Sequence, residues 1–433
     1  MHILLLTQYY PPEIGAVQNR LSDLAKRLAK AGHCVEVVTA LPSYPKGETY
    51  EGYRHRMVMT EQDAGIRIVR TWAYATKKKT FASRILNYLS FAVLSVLVGS
   101  MAARDADIVF VESPPLFLAL SGYLLAGLKR ARFILNISDL WPESAAVLGV
   151  LRNPLIIRWT TRAEEWLYRR ATIVTGQTEG IVSSIRRRCG GTPVYLLTNG
   201  VAPEFFADFA IARTQRERLR EKFGFQGKFI VAYTGTHGLA QGLDTVLSCA
   251  QLLKEYKEIQ FCFFGDGPEK SHLQLIAAQQ GMENVAFHAP LPASQMVELL
   301  ASIDVSIVTL KRNDLFKGAL PSKLFEALGA GVPVILALDG EAKKLIECSH
   351  GGLAVEPENP EDMAKSILRL YRDTELRGQL GANGRTFVLA RYNREQIAKQ
   401  FEQLVLSKNP PREPVGDLAQ VSCSDNVEWN TQK

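Results

Sequence analysis

The 433-residue chain has few cysteines, and none are spaced for metal binding. Its six cysteines are spread along the sequence, with no Cys-x-x-Cys pair. This gives no reason to expect a disulfide scaffold or a zinc knuckle, and it fits a reducing compartment. The seven histidines are also scattered, and no Asp-x-Asp follows a predicted strand. We therefore expect a protein that uses neither a metal nor another cofactor.

A long apolar run is missing at the start of the chain. In MHILLLTQYYPPEIG the apolar run covers only four residues before polar and proline positions. A secretory signal carries an apolar core of about 7–15 residues. We interpret the segment as a first buried β-strand and expect a cytoplasmic protein.

Acidic residues are scarce in the first half. Residues 1–205 carry 25 Lys and Arg against 16 Asp and Glu, a balance of +9, which leaves −2 of the total of +7 for the remainder. Such asymmetry indicates an anionic partner. Because no nucleic-acid-binding motif accompanies it, we expect a peripheral anionic membrane surface and no nucleic acid.

Strand and helix patterns alternate along the chain. The first half contains the apolar runs HILLLT, CVEVVTA, IRIVRTW, DADIVFVES, ARFILNIS and ATIVTGQ, and the second half contains FIVAYTG, IQFCFFGDG, NVAFHAP, DVSIVTL and VPVILA. This alternation is typical of parallel sheets covered by helices. It predicts an α/β protein with two Rossmann-like domains that face each other across a cleft.

The two series of strands set the predicted domain boundaries. Residues 1–205 form the first Rossmann-like domain, and residues 229–385 form the second. The charged residues 206–228 are predicted to be a linker region. Residues 386–406 have helical periodicity and are expected to cross back to the first domain, and the polar residues 407–433 to be a disordered tail.

The apolar stretch Arg84 to Ala103 has the length of a bilayer span, because about 20 apolar residues can cross a membrane. Small polar residues interrupt it, and a span would break the alternation of strands and helices on either side. We favour a crossover helix of the first domain. Insertion into a membrane surface beside Lys77, Lys78, Lys79 and Arg84 is the second interpretation, and a true span is the third.

The most informative motif is PSKLFEALGAGVPVILA, which starts at Pro321. Ser322 is a plausible N-cap, so Lys323, Leu324 and the following amides would lie in the first turn of a helix, where a diphosphate can bind. Glu326 would project from the same face as Lys323 and accept hydrogen bonds from ribose hydroxyls. The alternative is a surface helix with an exposed Lys and Glu.

Two glycine-containing loops follow strands of the second domain. In TGTHGLAQG, Gly235 and Thr236 could bring backbone amides close to a phosphate, and His237 could donate to a phosphate or an acceptor. The alternative for His237 is a local hydrogen-bonding role. The second loop is FGDGP, whose candidate residues are Gly265, Asp266 and Gly267; an ordinary turn is the alternative there.

Acidic residues follow strands of the first domain. Parallel α/β sheets bind ligands at the carboxyl ends of their strands, so Glu112, Asp139 and Gln177 are candidates for the acceptor side. Glu143, which follows Asp139 closely in SDLWPES, is a further acceptor-side candidate. We favour Asp139, which could orient or deprotonate an acceptor hydroxyl. The alternative is that Asp139 caps the helix that begins near Trp141, with Glu143 in its first turn.

The sequence resembles the family 4 retaining glycosyltransferases, and among them a branch that makes bacterial surface polysaccharides and includes L-fucosamine transferases. The resemblance rests on YYPPEIGA, SDLWPES, TNGVAPEFF, FGDGP and PSKLFEALGAGVPVI. It implies a GT-B fold and a donor site in the second domain. In the family, two glutamates separated by seven residues contact the donor sugar and the nucleotide ribose, and Glu326 matches the second.

The chain departs from the family pattern at several positions. Gly318 stands where the first glutamate would be. Thr236 and Gln241 occupy the positions of an arginine and a lysine that neutralise the donor diphosphate, so Lys323 and the TGTHG amides are expected to take that charge. Gly15, which the resemblance places against the diphosphate, is followed by an alanine where a second glycine is usual.

The resemblance implies that a sugar is transferred from a UDP-sugar donor to a lipid-linked acceptor, such as a polyprenyl-diphosphate-linked sugar, or to an oligosaccharide. The acceptor would bind the first domain at the inner face of the plasma membrane, and Asp139, His237 and Lys323 would be the catalytic candidates. Two alternatives stay open, a non-catalytic nucleotide-sugar-binding assembly protein and a UDP-sugar 2-epimerase.

Overall fold

The chain divides into two compact units. A computed structural model describes residues 1–407, apart from Pro45, Lys79, Leu148 and Val150. Among the described residues, the first unit comprises Met1–Thr198 and residues 395–407, and the second comprises Asn199–Arg394. The predicted tail falls outside the described residues except for Ser407, and Lys79 of the predicted basic cluster also lies outside them.

The first unit is built on an eight-stranded sheet with the order β3-β4-β2-β1-β5-β6-β7-β8. All neighbours are parallel except β3, which pairs antiparallel with β4. The strands are β1 His2–Leu6, β2 Cys34–Ala40, β3 Val58–Asp63, β4 Ile66–Thr71, β5 Ile108–Ser113, β6 Arg132–Ile137, β7 Ile173–Gly176 and β8 Val194–Leu196.

Helices pack against both faces of this sheet. They are α1 Ala16–Lys30, α2 Phe81–Ala102, α3 Leu116–Lys129, α4 Glu143–Val147, α5 Pro154–Arg170 and α6 Glu179–Arg186. One buried cluster joins residues of α2, α3, α5 and α6 to the sheet. Another joins residues of α1 and the carboxyl-terminal helix to the sheet, including an edge-to-face contact between Phe110 and Phe401 with 5.1 Å between ring centroids.

Helix α2 contains the stretch of membrane-span length and connects β4 to β5, as expected for a crossover helix. Among the described residues, Ala82–Ala102 is long and apolar enough to cross a membrane by length and composition, with a mean hydropathy of 1.8. Phe91 and Val98 are nevertheless buried in the core of the first unit. The helix therefore has one side in the core and one side that is exposed.

The second unit is built on a six-stranded parallel sheet with the order β11-β10-β9-β12-β13-β14. Its strands are β9 Phe229–Thr234, β10 Ile259–Phe264, β11 Val285–His288, β12 Val305–Thr309, β13 Val334–Ala337 and β14 Gly352–Ala354. Its helices are α7 Pro203–Thr214, α8 Arg216–Phe223, α9 Leu243–Leu252, α10 Lys270–Gln279, α11 Ala293–Ser302, α12 Ser322–Gly329, α13 Glu341–Ser349, α14 Pro360–Arg372 and α15 Thr374–Arg391. The predicted parallel α/β architecture is confirmed for both units.

The predicted linker 206–228 is structured and belongs to the second unit. It lies within α7, α8 and the turn before β9, and Phe209, Leu219 and Phe225 are buried there. The many charged residues of this segment hide the apolar pattern in the sequence. Two of them, Arg216 and Arg220, bind the Asp304 carboxylate, with N···O distances of 2.7 and 3.1 Å.

The predicted helix over 386–406 is two helices, the end of α15 and α16 Arg394–Leu406. The break occurs because the backbone there bonds to Val201 instead of continuing the helix. The Val201 amide donates to the Tyr392 carbonyl at 2.9 Å, and the Arg394 amide donates to the Val201 carbonyl at 3.0 Å. From Glu395 onward, α16 belongs to the first unit.

Candidate functional site

The Lys323 ammonium is the centre of the candidate site in the second unit. Its Nζ lies 3.8 Å from the centre of the Tyr233 ring, and a Cβ added to Gly235 would lie 3.1 Å from it. Burial lowers the pKa of Lys323 to about 7, although the Glu326 carboxylate opposes this shift. An anion that approaches this desolvated amine beside the glycine loop would favour the charged form of the amine and raise its pKa.

Lys323 lies in the first turn of α12, but the start of this helix differs from the prediction. The N-cap is Pro321, with extended backbone angles and no side-chain cap, and Ser322 is the first helical residue. The Leu324 amide donates to the Pro321 carbonyl at 3.0 Å. The predicted phosphate site at this helix end therefore consists of the Ser322 and Lys323 amides with the Lys323 side chain.

Glu326 projects from the same side of α12, one turn after Lys323. Burial raises the pKa of its carboxyl group, and the charges of Arg394 and Lys323 oppose that shift. Because the carboxylate has two cations nearby, it can be held charged and accept hydrogen bonds from a pair of hydroxyl groups.

The two glycine loops of the second unit touch each other. Gly235 follows β9 with a φ of +122°, and Gly265 follows β10 with a φ of +153°. A Cβ at Gly265 would lie 1.8 Å from the Gly235 carbonyl oxygen, so only glycine permits this approach. Lys270 Nζ donates to the Gly265 carbonyl at 2.8 Å, which fixes the second loop. Thr236 is exposed beside Gly235.

His237 is fully buried behind the glycine loops. Its backbone amide donates to the Asp266 carbonyl at 2.9 Å, and a Cβ at Gly267 would lie 2.3 Å from its carbonyl oxygen. Burial lowers the pKa of its imidazole to about 4, so the ring is neutral at pH 7. Both ring nitrogens lack a hydrogen-bond partner among the described residues.

Gly318 ends a short 3₁₀ turn, Asp314–Gly318, that precedes α12. The side chain of Asn313 caps this turn by accepting from the Leu315 amide at 3.0 Å. Lys317 and Asp314 form an exposed ion pair with an N···O distance of 2.6 Å. The position that carries a glutamate in the family pattern thus has no side chain here, but charged groups lie directly before it.

In the first unit, Glu112 lies at the end of β5 in a buried polar network. Its two carboxylate oxygens accept from Arg20 Nη2 at 2.7 and 2.8 Å. Asn136 Nδ2 donates to it at 2.7 Å, and the Ser138 hydroxyl also donates to it. With Arg20, Asn136 and Ser138 as partners, Glu112 holds β5, β6 and α1 together.

Asp139 follows β6 and is exposed, although neighbouring protein desolvates its carboxylate and raises its pKa. Hydrogen bonds from the Ser144 hydroxyl and the Leu140 amide oppose that shift. The bond to Ser144 ties Asp139 to the start of α4. Glu143 points toward Arg188, with an N···O distance of 2.9 Å, and Arg188 also binds the buried Glu164 at 3.0 Å.

Gly15 is the N-cap of α1 and has a φ of 174°, which is an extended conformation. A Cβ there would lie 2.4 Å from Gln18 Oε1. The loop before it is held by Glu13, whose carboxylate accepts from the Ser43 and Tyr44 amides at 2.8 Å each. Burial raises the pKa of Glu13 to about 7.

Sequence reasoning missed several of these contributors. Tyr233 could have been found as the aromatic residue near the end of β9, two positions before Gly235. Arg20 could have been found as a charged residue on the buried side of α1, where an ion partner is needed. Arg394 and Lys270 carry no local pattern, because their roles depend on chain segments distant in sequence.

The two parallel-sheet α/β units define a GT-B architecture. Residues 15–200 match the family model described as Glycosyl transferase 4-like domain, and residues 215–387 match the model described as Glycosyl transferases group 1. Together the two matches span most of the chain. The protein belongs to the family 4 glycosyltransferases, and it is therefore an enzyme that transfers sugars.

Named relatives and solved structures agree with this assignment. The putative colanic acid biosynthesis glycosyl transferase WcaI of Escherichia coli strain K12 is 27% identical over 93% of this chain and 98% of its own length. The probable glycosyltransferase WbjE of Pseudomonas aeruginosa is 25% identical over 67% of this chain and 73% of its own.

Two solved structures show the likeness of fold. Sucrose-phosphate synthase from Thermosynechococcus elongatus has a TM-score of 0.72 at 19% identity, covering 94% of this chain and 98% of that one. Anabaena HepE in complex with UDP-glucose has a TM-score of 0.70 at 16% identity, covering 94% and 99%.

Proposed function

We propose that the enzyme transfers a sugar, an N-acetylated amino sugar or a deoxy sugar, from a UDP-sugar to a lipid-linked or oligosaccharide acceptor in bacterial surface polysaccharide biosynthesis. The similarity to WcaI, which is named for colanic acid biosynthesis, supports the pathway. The solved complex of HepE with UDP-glucose supports the donor class. The acceptor we favour is a polyprenyl-diphosphate-linked sugar at the cytoplasmic face of the plasma membrane.

The observation that carries the donor assignment is the position of Lys323 between the Tyr233 ring and Gly235. A UDP diphosphate placed against this ammonium would also meet the first amides of α12. Glu326, one turn further along the same side, would then accept hydrogen bonds from the ribose hydroxyls. Gly235 and Gly265 leave room for the backbone to approach the nucleotide.

The proposed reaction retains the anomeric configuration. The acceptor oxygen forms a bond to the anomeric carbon while the bond from that carbon to the diphosphate oxygen breaks, and the acceptor proton passes to the departing diphosphate. Such a reaction depends on stabilising negative charge on the leaving group, which we assign to Lys323 and the α12 amides. Asp139 would orient the acceptor. Because Lys323 and the α12 amides are assigned to stabilise this charge, we expect EDTA to leave turnover unchanged.

UDP binding measured by calorimetry tests the donor site. Lys323→Met and Glu326→Gln should each weaken UDP binding, and loss of a hydrogen bond to a charged group, about 1.5–3 kcal/mol, corresponds to roughly 10- to 150-fold. Lys344→Met is the matched control, because Lys344 is an exposed lysine of α13. Equal UDP affinities of the native protein and all three variants would show that α12 is not part of the donor site.

Acceptor-dependent UDP release tests the transfer itself. UDP should be released from a UDP-sugar only when a lipid-diphosphate sugar or an oligosaccharide is present. UDP release at the same rate without any acceptor would contradict transfer and indicate hydrolysis.

A further inference from the structure

Helices α2, α3 and α5 form one layer on the first sheet, and the outer surface of this layer is apolar. In this layer α2 contacts α3, and α3 contacts α5. Aliphatic residues recur every three to four positions along α2 and every four along α3, so each series forms a stripe on one side of its helix. Each of these side chains is at least 40% exposed: Leu89, Val93, Leu97, Leu120, Leu124 and Leu128.

Helix α5 adds tryptophan and arginine to this surface. Trp159 is 68% exposed and Trp166 is 38% exposed. The Arg162 guanidinium lies 5.9 Å from the Trp159 ring centre, and that of Arg170 lies 5.4 Å from the Trp166 ring centre. Aromatic rings with cations beside them are typical of side chains that lie at the boundary between lipid headgroups and acyl chains.

The charge of the three helices is almost entirely positive on the outside. Neither α2 nor α3 contains an acidic residue. Of the two glutamates in α5, Glu164 is buried and paired with Arg188, and Glu165 is half-buried. Arg158 and Arg169 are exposed on α5 in addition to the two arginines beside the tryptophans.

We propose that the outer surface of α2, α3 and α5, here called the three-helix face, adsorbs onto an anionic lipid bilayer. The aliphatic stripes and the two tryptophans enter the headgroup region, and the α5 arginines bind lipid phosphates. The proposal deepens the proposed function, because it names the membrane surface on which a lipid-linked acceptor would be presented.

The inner side of α2 shows that this helix lies along the membrane and does not cross it. Phe91 and Val98 are buried in the core of the first unit. Asn87 Oδ1 accepts from Gln8 at 2.6 Å, and Asn87 Nδ2 donates to the Tyr74 carbonyl at 2.6 Å. A transmembrane position would break these contacts and leave polar groups without partners in hydrocarbon.

Charge complementarity favours a bilayer over a second copy of this chain. A symmetric dimer through this surface would bring four exposed α5 arginines of each copy into one interface, where Glu165 is the one α5 carboxylate that is not buried. Anionic lipid headgroups supply that negative charge, and each basic residue near such a surface adds to the attraction.

Sedimentation with vesicles tests the proposal on the full-length protein. The vesicles contain either a phosphatidylglycerol–phosphatidylethanolamine mixture or phosphatidylcholine alone. We expect binding to the anionic vesicles that decreases with salt. The double variants Val93→Gln/Leu124→Gln and Arg158→Gln/Arg162→Gln should each bind at least tenfold more weakly.

Exposed residues of the second unit provide matched controls. Leu252→Gln/Leu275→Gln removes two exposed leucines, and Arg213→Gln/Arg218→Gln removes two exposed arginines. Both controls should bind vesicles as the native protein does. If they lose binding as much as the three-helix-face variants, or if no protein binds anionic vesicles, the proposal is wrong.

Sedimentation equilibrium without lipid tests whether the three-helix face binds a second copy of this chain instead of a bilayer. A dimer that dissociates in the three-helix-face variants, together with no vesicle binding, would show that the face joins two copies and would overturn the proposal. UDP affinity is measured on the same variants and should equal that of the native protein. Failure of vesicle binding with UDP binding and transfer intact would refute this proposal alone. Normal vesicle binding without acceptor-dependent UDP release would instead contradict the proposed transfer and leave the membrane surface standing.

Discussion

At the scale of single residues, the ionisation of Lys323 couples donor binding to pH. Its pKa of about 7 lies below the ordinary value of 10.5 because burial disfavours the charged form. A diphosphate bound beside the ammonium would raise that pKa again. Between pH 7 and pH 10.5, Lys323 keeps its proton in the unfolded chain but has mostly lost it in the folded protein without ligand. This lysine therefore makes the free energy of unfolding rise with pH over that range.

The resulting prediction concerns proton uptake. At pH 8 the free enzyme holds Lys323 mostly neutral, so UDP binding should take up nearly one proton, and UDP affinity should fall as the pH rises above 7. Calorimetry in HEPES and Tris buffers, which have different enthalpies of ionisation and contain no phosphate, measures this uptake from the difference in apparent enthalpy. Lys323→Met should abolish the uptake that Lys344→Met retains. Identical uptake by Lys323→Met and the native protein would show that another group titrates.

Residue patterns in the sequence predicted part of the candidate site. Lys323 and Glu326 were identified because a spacing of three residues in a helix places two side chains on one side. The burial of His237 could not be predicted in this way, because it arises from loops that meet only in the folded protein. Pro321 rather than Ser322 caps α12, because the extended backbone of the proline already occupies the cap position.

At the scale of secondary-structure elements, the contact between the loops after β9 and β10 depends on glycine. Gly265→Ala should displace the first loop, because the new Cβ would clash with the Gly235 carbonyl oxygen at 1.8 Å. We expect at least a tenfold loss of UDP affinity. Gly378→Ala is the control: apart from its chain neighbours and the backbone of its own helix, no atom lies within 4 Å of its Cβ position, and alanine in a helix adds about 0.5–1 kcal/mol of stability. Normal UDP binding by Gly265→Ala would show that the loop contact does not shape the donor site.

The packing of α16 in the first unit gives a second prediction at this scale. Phe401 is 2% exposed and contacts Phe110, so Phe401→Ala should destabilise the first unit by about 3–5 kcal/mol. Limited proteolysis, with identification of the cleaved peptides, measures the stability of each unit separately. Leu406→Ala, at a 52% exposed position of the same helix, should change little. If both variants resist protease as the native protein does, α16 contributes little to the core.

The elements missed from the sequence share physical causes. β8 and β14 have three residues each, too few to show a period of two. β3 is an exposed edge strand with mostly polar residues, and it is joined to β4 by a turn in which Ala64 and Gly65 have positive φ. The long strands β1, β2, β5, β9 and β10 were predicted because buried parallel strands are continuous apolar runs.

At the scale of the whole molecule, the candidate donor groups around Lys323 all belong to the second unit. A ligand that binds the folded state stabilises it by about 2.7 kcal/mol at one hundred times its Kd. Hydrogen exchange followed by mass spectrometry should therefore show that saturating UDP slows exchange in β9, β10 and α12. Peptides of the first sheet should be unaffected.

The same measurement tests the role of Gly15. No side chain caps the amino-terminal amides of α1 at Gly15, and the family resemblance places this glycine against the diphosphate. If UDP also slows exchange in residues 13–18 while β5 and β6 stay unchanged, the first unit contributes Gly15 to the donor site. If the protection stops at the second unit, Gly15 serves only to start α1 beside Gln18, and the diphosphate depends on Lys323 and the α12 amides alone. Lys323→Met separates these cases further, because any protection of α1 that persists in that variant cannot come from a diphosphate held by the lysine.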